Sequence, residues 1–207
     1  MSARGKLITL EGVDGAGKST HLQFIADAVG TQAGKPGGRH VVITREPGGT
    51  ALAERLRKAI LEEPMDAVAE TLLIFAARAD HVTRVIRPAL AAGTWIVCDR
   101  FTDASVAYQG AGKGVPADLI QRLSAAAHAG LAPDRTFVFD CSYEVSQQRL
   151  AGKKLDRFER EDRAFFERVR NCYLELAKAE PRRVRVIDAA QPLPEIRKAL
   201  ECNLADL

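Results

Sequence analysis

Residues 12–20 read GVDGAGKST and follow directly on the apolar run KLITLE (6–11). Gly12, Gly17, Lys18 and Ser19 satisfy G-x-x-x-x-G-K-[ST] without a mismatch. Leu7 to Leu10 has the length and β-branched content of a buried strand, and Leu22, Ile25, Ala26 and Val29 recur at helical spacing. The motif therefore sits at a strand–loop–helix junction, where it has a mechanism. Glycines let backbone N–H groups turn inward around phosphate oxygens, and the helix behind them presents its positive end to the same anion. Over the loop Gly12, Val13, Asp14, Gly15, Ala16, Gly17, Lys18, Ser19 and Thr20, a nucleoside triphosphate is the expected ligand. Lys18 is expected to reach its β- and γ-phosphates, and the Ser19 hydroxyl to hold Mg²⁺.

Working outward, five β-rich runs (6–11, 40–44, 94–98, 135–140, 183–188) alternate with helical patterns near 18–29, 51–62, 67–92, 117–129, 143–151, 160–179 and 193–204. That alternation predicts an α/β fold: five parallel strands with helices on both faces. Pro88 falls late in the long third pattern, which is expected to break or kink ahead of it. The Gly-rich GTQAGKPGGR (30–39) reads as a link into the second strand. The 207 residues suit one domain. With 30 basic and 27 acidic residues the net charge is +3, too balanced for a general nucleic-acid or membrane surface. No run approaches the roughly 20 apolar residues that span a bilayer, and the N-terminus does not read as a secretory signal. Cys98, Cys141, Cys172 and Cys202 show no zinc spacing, so a reducing, cytoplasmic setting is expected.

Polar residues gather at the strand ends: Arg45 and Glu46 after the second, Asp99 and Arg100 after the third, Asp140 and Asp188 after the last two. Ligands of open α/β sheets bind at that rim. Water-facing loops alone account for Asp140 and Asp188. They account less well for REPGGT and DRF, where an Arg is coupled to an acid.

Four segments bear on a second ligand. In VVITREPGGT (41–50) Arg45 leaves what reads as a buried strand, and its fork suits a phosphate, the plainer alternative being a pair with Glu46. In LLIFAARADH (72–81) Phe75 and Arg78 share a helix face, an aromatic plane beside a guanidinium that suits a nucleobase; an apolar core stripe with a charged edge is the plainer reading. In WIVCDRFTDASVAYQG (95–110) Asp99 ends a strand as a metal-water-holding acid does, Arg100 can bind phosphate, and Ser105 and Tyr108 lie three apart on a helix. In QQRLAGKKLDRFERED (147–162) Arg149, Lys153, Lys154 and Arg157 surround Gly152, as a lid over transferring phosphates requires; alternatively Asp156, Glu159, Glu161 and Asp162 neutralise them.

Taken in order, GVDGAGKST, TREPGGT, FAARADH, DRFTDASVAYQG, LDRFE and DAAQP resemble the thymidylate kinases of bacteria, from about residue 6 to residue 200. The resemblance implies a P-loop NTPase fold forming one nucleoside monophosphate kinase domain over 1–207, with a lid at about 149–163. It implies transfer of the γ-phosphate of ATP to dTMP with Mg²⁺, by a homodimer. It places Phe75 on thymine, Arg78 on its carbonyl edge, Ser105 and Gln109 beside the ring, and Tyr108 where a 2′-hydroxyl would sit. Arg45 and Arg100 would grip the dTMP phosphate, and Asp14 would approach the sugar 3′-hydroxyl or the metal region. Arg149 would lie over adenine, bordered by Asp188 and Gln191 of DAAQP. Lys18, Asp99, Arg100, Arg149 and Arg157 are the candidates for the transfer itself, with Ser19 and Asp99 toward the metal. Two departures stand out: Lys153 and Lys154 occupy the lid centre where arginines are typical, and Phe101 stands where Tyr or His is common. Lysine lacks the planar fork.

Three rivals are weighed against this. A regulatory GTPase would carry N-K-x-D, which is absent. A nucleic-acid-driven ATPase would interleave aromatics with a basic surface, and only 12 aromatics occur. A kinase for another nucleoside monophosphate is the nearest alternative.

Overall fold

The computed structural model describes residues 4–30, 39–153 and 155–207. Residues 31–38 of the Gly-rich link and Lys154 of the expected lid lie outside them. Five strands, β1 (Leu7–Glu11), β2 (Val41–Arg45), β3 (Trp95–Asp99), β4 (Arg135–Asp140) and β5 (Val184–Asp188), form one parallel sheet in the order β2-β3-β1-β4-β5. The helices are α1 (Lys18–Gly30), α2 (Ala51–Glu62), α3 (Ala67–His81), α4 (Arg87–Ala91), α5 (Thr102–Ser105), α6 (Ala117–His128), α7 (Tyr143–Leu150), α8 (Arg163–Ala179) and α9 (Leu193–Leu204).

Alternation along the strands sorts side chains to two faces. Ile8, Leu10 and Val97 join Ile25 of α1, Val169 of α8 and Ile196 of α9 in the larger core. Leu7, Ile96 and Cys98 point the other way, toward Leu90 of α4 and Val82 and Ile86 just before it. Both faces are thus covered, as a parallel sheet requires.

Two helical expectations are refined. The α-helical pattern over 67–92 is interrupted ahead of Pro88, as expected, while the chain stays helical. It widens into a π-helical turn, Val82–Ile86, and the Arg87 N–H bonds the Val82 carbonyl five residues back. Pro88, which has no N–H, then fits the first turn of α4. A second π-helical turn, Val106–Gly112, follows α5 and carries Tyr108 and Gln109. Such turns inside helices are frequent at functional sites. The last long helix starts at Arg163 rather than 160 because the Asp162 carboxylate accepts from the Phe165 N–H and caps it. The reading of β2 as a buried strand needs correction. It is an edge strand, with Val42 and Ile43 36% and 39% exposed among the described residues. An apolar run records side-chain character and not its place in the strand order.

Register delivers the site. Arg45 lies opposite Asp99, and Asp99 opposite Leu10. The ends of β2 and β3 and the loop after β1 therefore meet at one rim, as the sequence implied.

Candidate active site

The loop after β1 is set by close approach. Gly12 has φ +128°, and a Cβ there would run into the Phe139 carbonyl of β4. Only glycine passes at this point. Lys18, at the start of α1, is buried and donates to the Gly12 and Val13 carbonyls at 3.0 and 2.9 Å. Burial, then Arg100, pulls its pKa below the ordinary lysine range. An added polyphosphate would oppose that shift.

The loop opens into a cleft of about 730 Å³ lined by Gly15 to Thr20, Arg45, Asp99, Arg100 and Arg149. Asp99 Oδ1 is buried and has no hydrogen-bond partner among the described residues. A carboxylate oxygen left so in a cleft that Ser19 also lines fits a hydrated divalent cation. Among the described residues no group of three His, Cys, Asp or Glu side chains could hold a metal unaided.

A second cleft adjoins the first. Its walls include Ile74, Arg78, Ser105, Tyr108, Gln109 and Phe158. Asp14 and Arg100 line both clefts and join them: Arg100 Nη2 donates to Asp14 Oδ1 at 2.6 Å and to the Tyr108 hydroxyl at 2.9 Å, and that hydroxyl donates to Asp14 Oδ2 at 2.8 Å. Burial works to raise the Asp14 pKa, but Arg100, then Lys18, outweigh it and hold the carboxyl below its usual range. The Arg100 backbone is left-handed, φ 69°. It is pinned by Arg100 N–H to the Leu10 carbonyl and by Phe101 N–H to Glu11 Oε1 at 2.7 Å. Glu11 is fully buried, and burial, then Asp103, push its pKa up to about 7.

Arg78 is sunk at the base of the second cleft. Its Nε donates to Glu46 at 2.6 Å, Nη1 to Ser105 Oγ at 3.1 Å and Nη2 to the Phe101 carbonyl at 3.0 Å. Glu46 also meets His81 Nδ1 at 3.0 Å, and His81 Nε2 meets the Thr44 hydroxyl at 2.8 Å. Glu46 therefore belongs to Arg78 and His81, and the Arg45–Glu46 pair weighed from sequence does not form. Arg45 instead donates to Glu54 at 2.9 Å.

Several expected residues stand elsewhere. Phe75 does not line the second cleft. It packs with Val115 and Ile120, its ring 4.6 Å from the Arg78 guanidinium carbon, while Ile74, one full turn before Arg78, faces the opening. Asp188 turns away from the phosphate cleft to accept from Ala190 N–H and Gln191 Nε2, leaving Gln191 on the wall. Arg149 braces the loop, donating to the Gly15, Ala16 and Ala189 carbonyls. Of the lid bases, Lys153 borders the phosphate cleft. Arg157 is absent from that wall and pairs with Glu70 of α3. Among the described residues no lid acid forms an ion pair with Arg149, Lys153 or Arg157: Asp156 and Glu159 hold their own turn, Glu161 meets Lys113, and Asp162 caps α8.

The sequence reading passed over Arg57, which lines both clefts from α2, and Phe158, the lid's contribution to the second. On α2 Arg57 donates to the Pro47 carbonyl at 3.0 Å, which turns it inward.

Comparison with known proteins agrees with this geometry. The family described as "Thymidylate kinase" matches residues 10–200. A thymidylate kinase of Bordetella petrii is 53% identical over 208 aligned residues, covering 100% of this chain and 98% of the relative. One from Burkholderia mallei is 50% identical, covering 99% and 100%. The crystal structure of thymidylate kinase from Ehrlichia chaffeensis superposes with a TM-score of 0.78 at 31% identity, covering 97% of this chain and 98% of that one. With two joined clefts, one built on a phosphate loop, and matches along its whole length, the chain belongs to the thymidylate kinase family of phosphotransferases.

Proposed function

We propose that the chain acts as one kinase domain that moves the γ-phosphoryl group of ATP to the phosphate of dTMP, giving ADP and dTDP. The observation that carries this reading is the Arg100–Asp14 pair standing between the phosphate cleft and the Arg78 cleft. A donor in one cleft and an acceptor in the other would bring their phosphates together over Arg100. A phosphate monoester has a second pKa near 6 and is mostly dianionic at neutral pH. Its oxygen therefore needs no general base, and the work left to the protein is alignment and neutralisation of crowded charge.

Lys18 would exchange its loop carbonyls for the β- and γ-phosphates. Arg100, with Arg45 and Arg57, would hold the dTMP phosphate. Ser19 and Asp99 are the residues suited to hold a hydrated Mg²⁺, which would neutralise β- and γ-oxygens when bound. Arg78, Ser105 and Gln109 would bond the ring edge, with Ile74 rather than Phe75 against its face. Tyr108, fixed by Asp14 and Arg100, would fill the space of a 2′-hydroxyl. Arg149 and Gln191 would border the adenine. Of the described bases beyond Arg149, Lys153 borders the phosphate cleft and Arg157 does not, so Lys153 would meet the transferring phosphoryl. The lid, about 149–163, would exclude water.

A homodimer is supported by exposed apolar residues on adjoining helices, Leu52 of α2 and Val68 and Leu72 of α3. Four free cysteines support a cytoplasmic setting.

The test is ADP release from Mg·ATP with dTMP, dUMP, UMP, dCMP, AMP and GMP. Turnover should be strongest with dTMP and poor with UMP. Preference for AMP or UMP would overturn the pocket assignment, and hydrolysis without an acceptor would overturn the kinase.

A further inference from the structure

Glu70 is fully buried on α3, in the segment AVAETLL (67–73), where every other residue but Thr71 is apolar. A carboxylate is not placed there without partners. One oxygen accepts from Gln109 Nε2 at 2.8 Å, and Gln109 lines the second cleft. The other accepts from Lys113 Nζ at 2.8 Å and from Arg157 Nη2 of the lid. These two cations flank one ring: Lys113 Nζ lies 4.5 Å and the Arg157 guanidinium carbon 5.3 Å from the centroid of Phe158. Phe158 is the lid's wall of the second cleft and meets Tyr108 edge-on at 6.0 Å. The same lid segment borders the phosphate cleft through Lys153 and Glu159.

We infer that Glu70 is a positioning residue that ties the lid to the acceptor cleft, so that filling one nucleotide cleft favours filling the other. Its carboxylate holds Gln109 and the two cations that seat Phe158 against the cleft. A lid so held carries Lys153 into place over the phosphates. Without the negative charge, Lys113 and Arg157 would face each other across a neutral group and repel, and Phe158 would lose its seat. The inference rests on the assignment of the two clefts to dTMP and ATP.

The test measures dTMP affinity by calorimetry with and without a saturating non-hydrolysable ATP analogue. Wild-type protein should bind dTMP more tightly with the analogue, by roughly 5-fold or more. Glu70→Gln should bring that ratio close to one, and Arg157→Met should do the same from the lid side, keeping the test intact if Glu70→Gln folds poorly. Arg157→Lys, which keeps the charge, should retain most of the ratio. Combining Glu70→Gln with Arg157→Met should add no further loss. A ratio unchanged in Glu70→Gln or Arg157→Met, or absent in wild type, overturns the inference. Failure of wild type to bind dTMP at all would instead remove the cleft assignment beneath it.

Discussion

Replacing Arg78 by alanine should weaken the fold and the acceptor cleft together, and the two effects can be separated. Arg78 is 2% exposed, and its Nε donates to Glu46, itself buried, at 2.6 Å. Removing one member of a buried pair costs about 3–5 kcal/mol, because the other charge is left in a poorly solvating interior. His81 stays against Glu46 and places the loss toward the lower end. At about 2–4 °C per kcal/mol for a chain of this size, thermal unfolding should fall by roughly 6–12 °C. The KM for dTMP should rise tenfold or more, the worth of a charge-assisted hydrogen bond to the base. The KM for ATP should hardly change, since Arg78 is absent from the wall of the phosphate cleft. The double variant Arg78→Met/Glu46→Leu removes both charges and keeps apolar volume, so it should recover much of the stability. It should not recover dTMP binding. A single variant that melts within about 2 °C of wild type would refute the buried-pair argument. A double variant that regains the dTMP KM would show that Arg78 acts only through the fold.

Lys18→Ala should abolish turnover in the coupled ADP-release assay while dTMP still binds by calorimetry, because the lost charge belongs to the donor phosphates. Ile74→Ala should raise the dTMP KM severalfold with little loss of kcat, whereas Phe75→Leu should lower the melting temperature and leave both KM values near wild type. Glu11 makes stability pH-dependent in a stated direction. Its folded pKa of about 7 lies above the ordinary glutamate value of 4.5, so the folded state binds the extra proton. That contribution is complete below pH 4.5 and is lost as pH rises through 7, amounting to about 3 kcal/mol at most. Urea unfolding from pH 4.5 to 8 should show wild type losing stability relative to Glu11→Gln across that window; parallel curves would contradict the assignment.

The parts of the site legible in the sequence are those whose chemistry is local. The phosphate loop carries its glycines, lysine and serine within nine residues, and the strand before and helix after it are readable from side-chain period. Strand ends were legible for the same reason, and register then brought Arg45, Asp99 and the loop together without further information. Phase was harder. Ile74 and Phe75 are neighbours, but successive helix positions differ by about 100°. Phe75 at three residues from Arg78 and Ile74 at four both satisfy a same-face rule, and tertiary packing against Val115 and Ile120 decides between them.

The lid shows why long-range charge is the least readable layer. Arg157 sits among acids, and spacing offers it several local partners. It takes none of them and pairs with a residue 87 positions away. Yet Glu70 itself signalled a partner. An acid on the core face of an amphipathic helix opposes the burial of its neighbours, and the cost of leaving it unpaired exceeds what one more aliphatic side chain would contribute. Such a residue persists in a folded chain where donors reach it, as the Phe101 N–H and the Tyr173 hydroxyl reach Glu11, and for Glu70 two of the three donors are cations. Of the two bases that reach it, Arg157 belongs to the segment proposed as the lid, whereas Lys113 stands beside the turn that holds Gln109. A buried acid shared between that segment and the turn of the second cleft is therefore the part of this sequence where fold and proposed function are read from the same side chain.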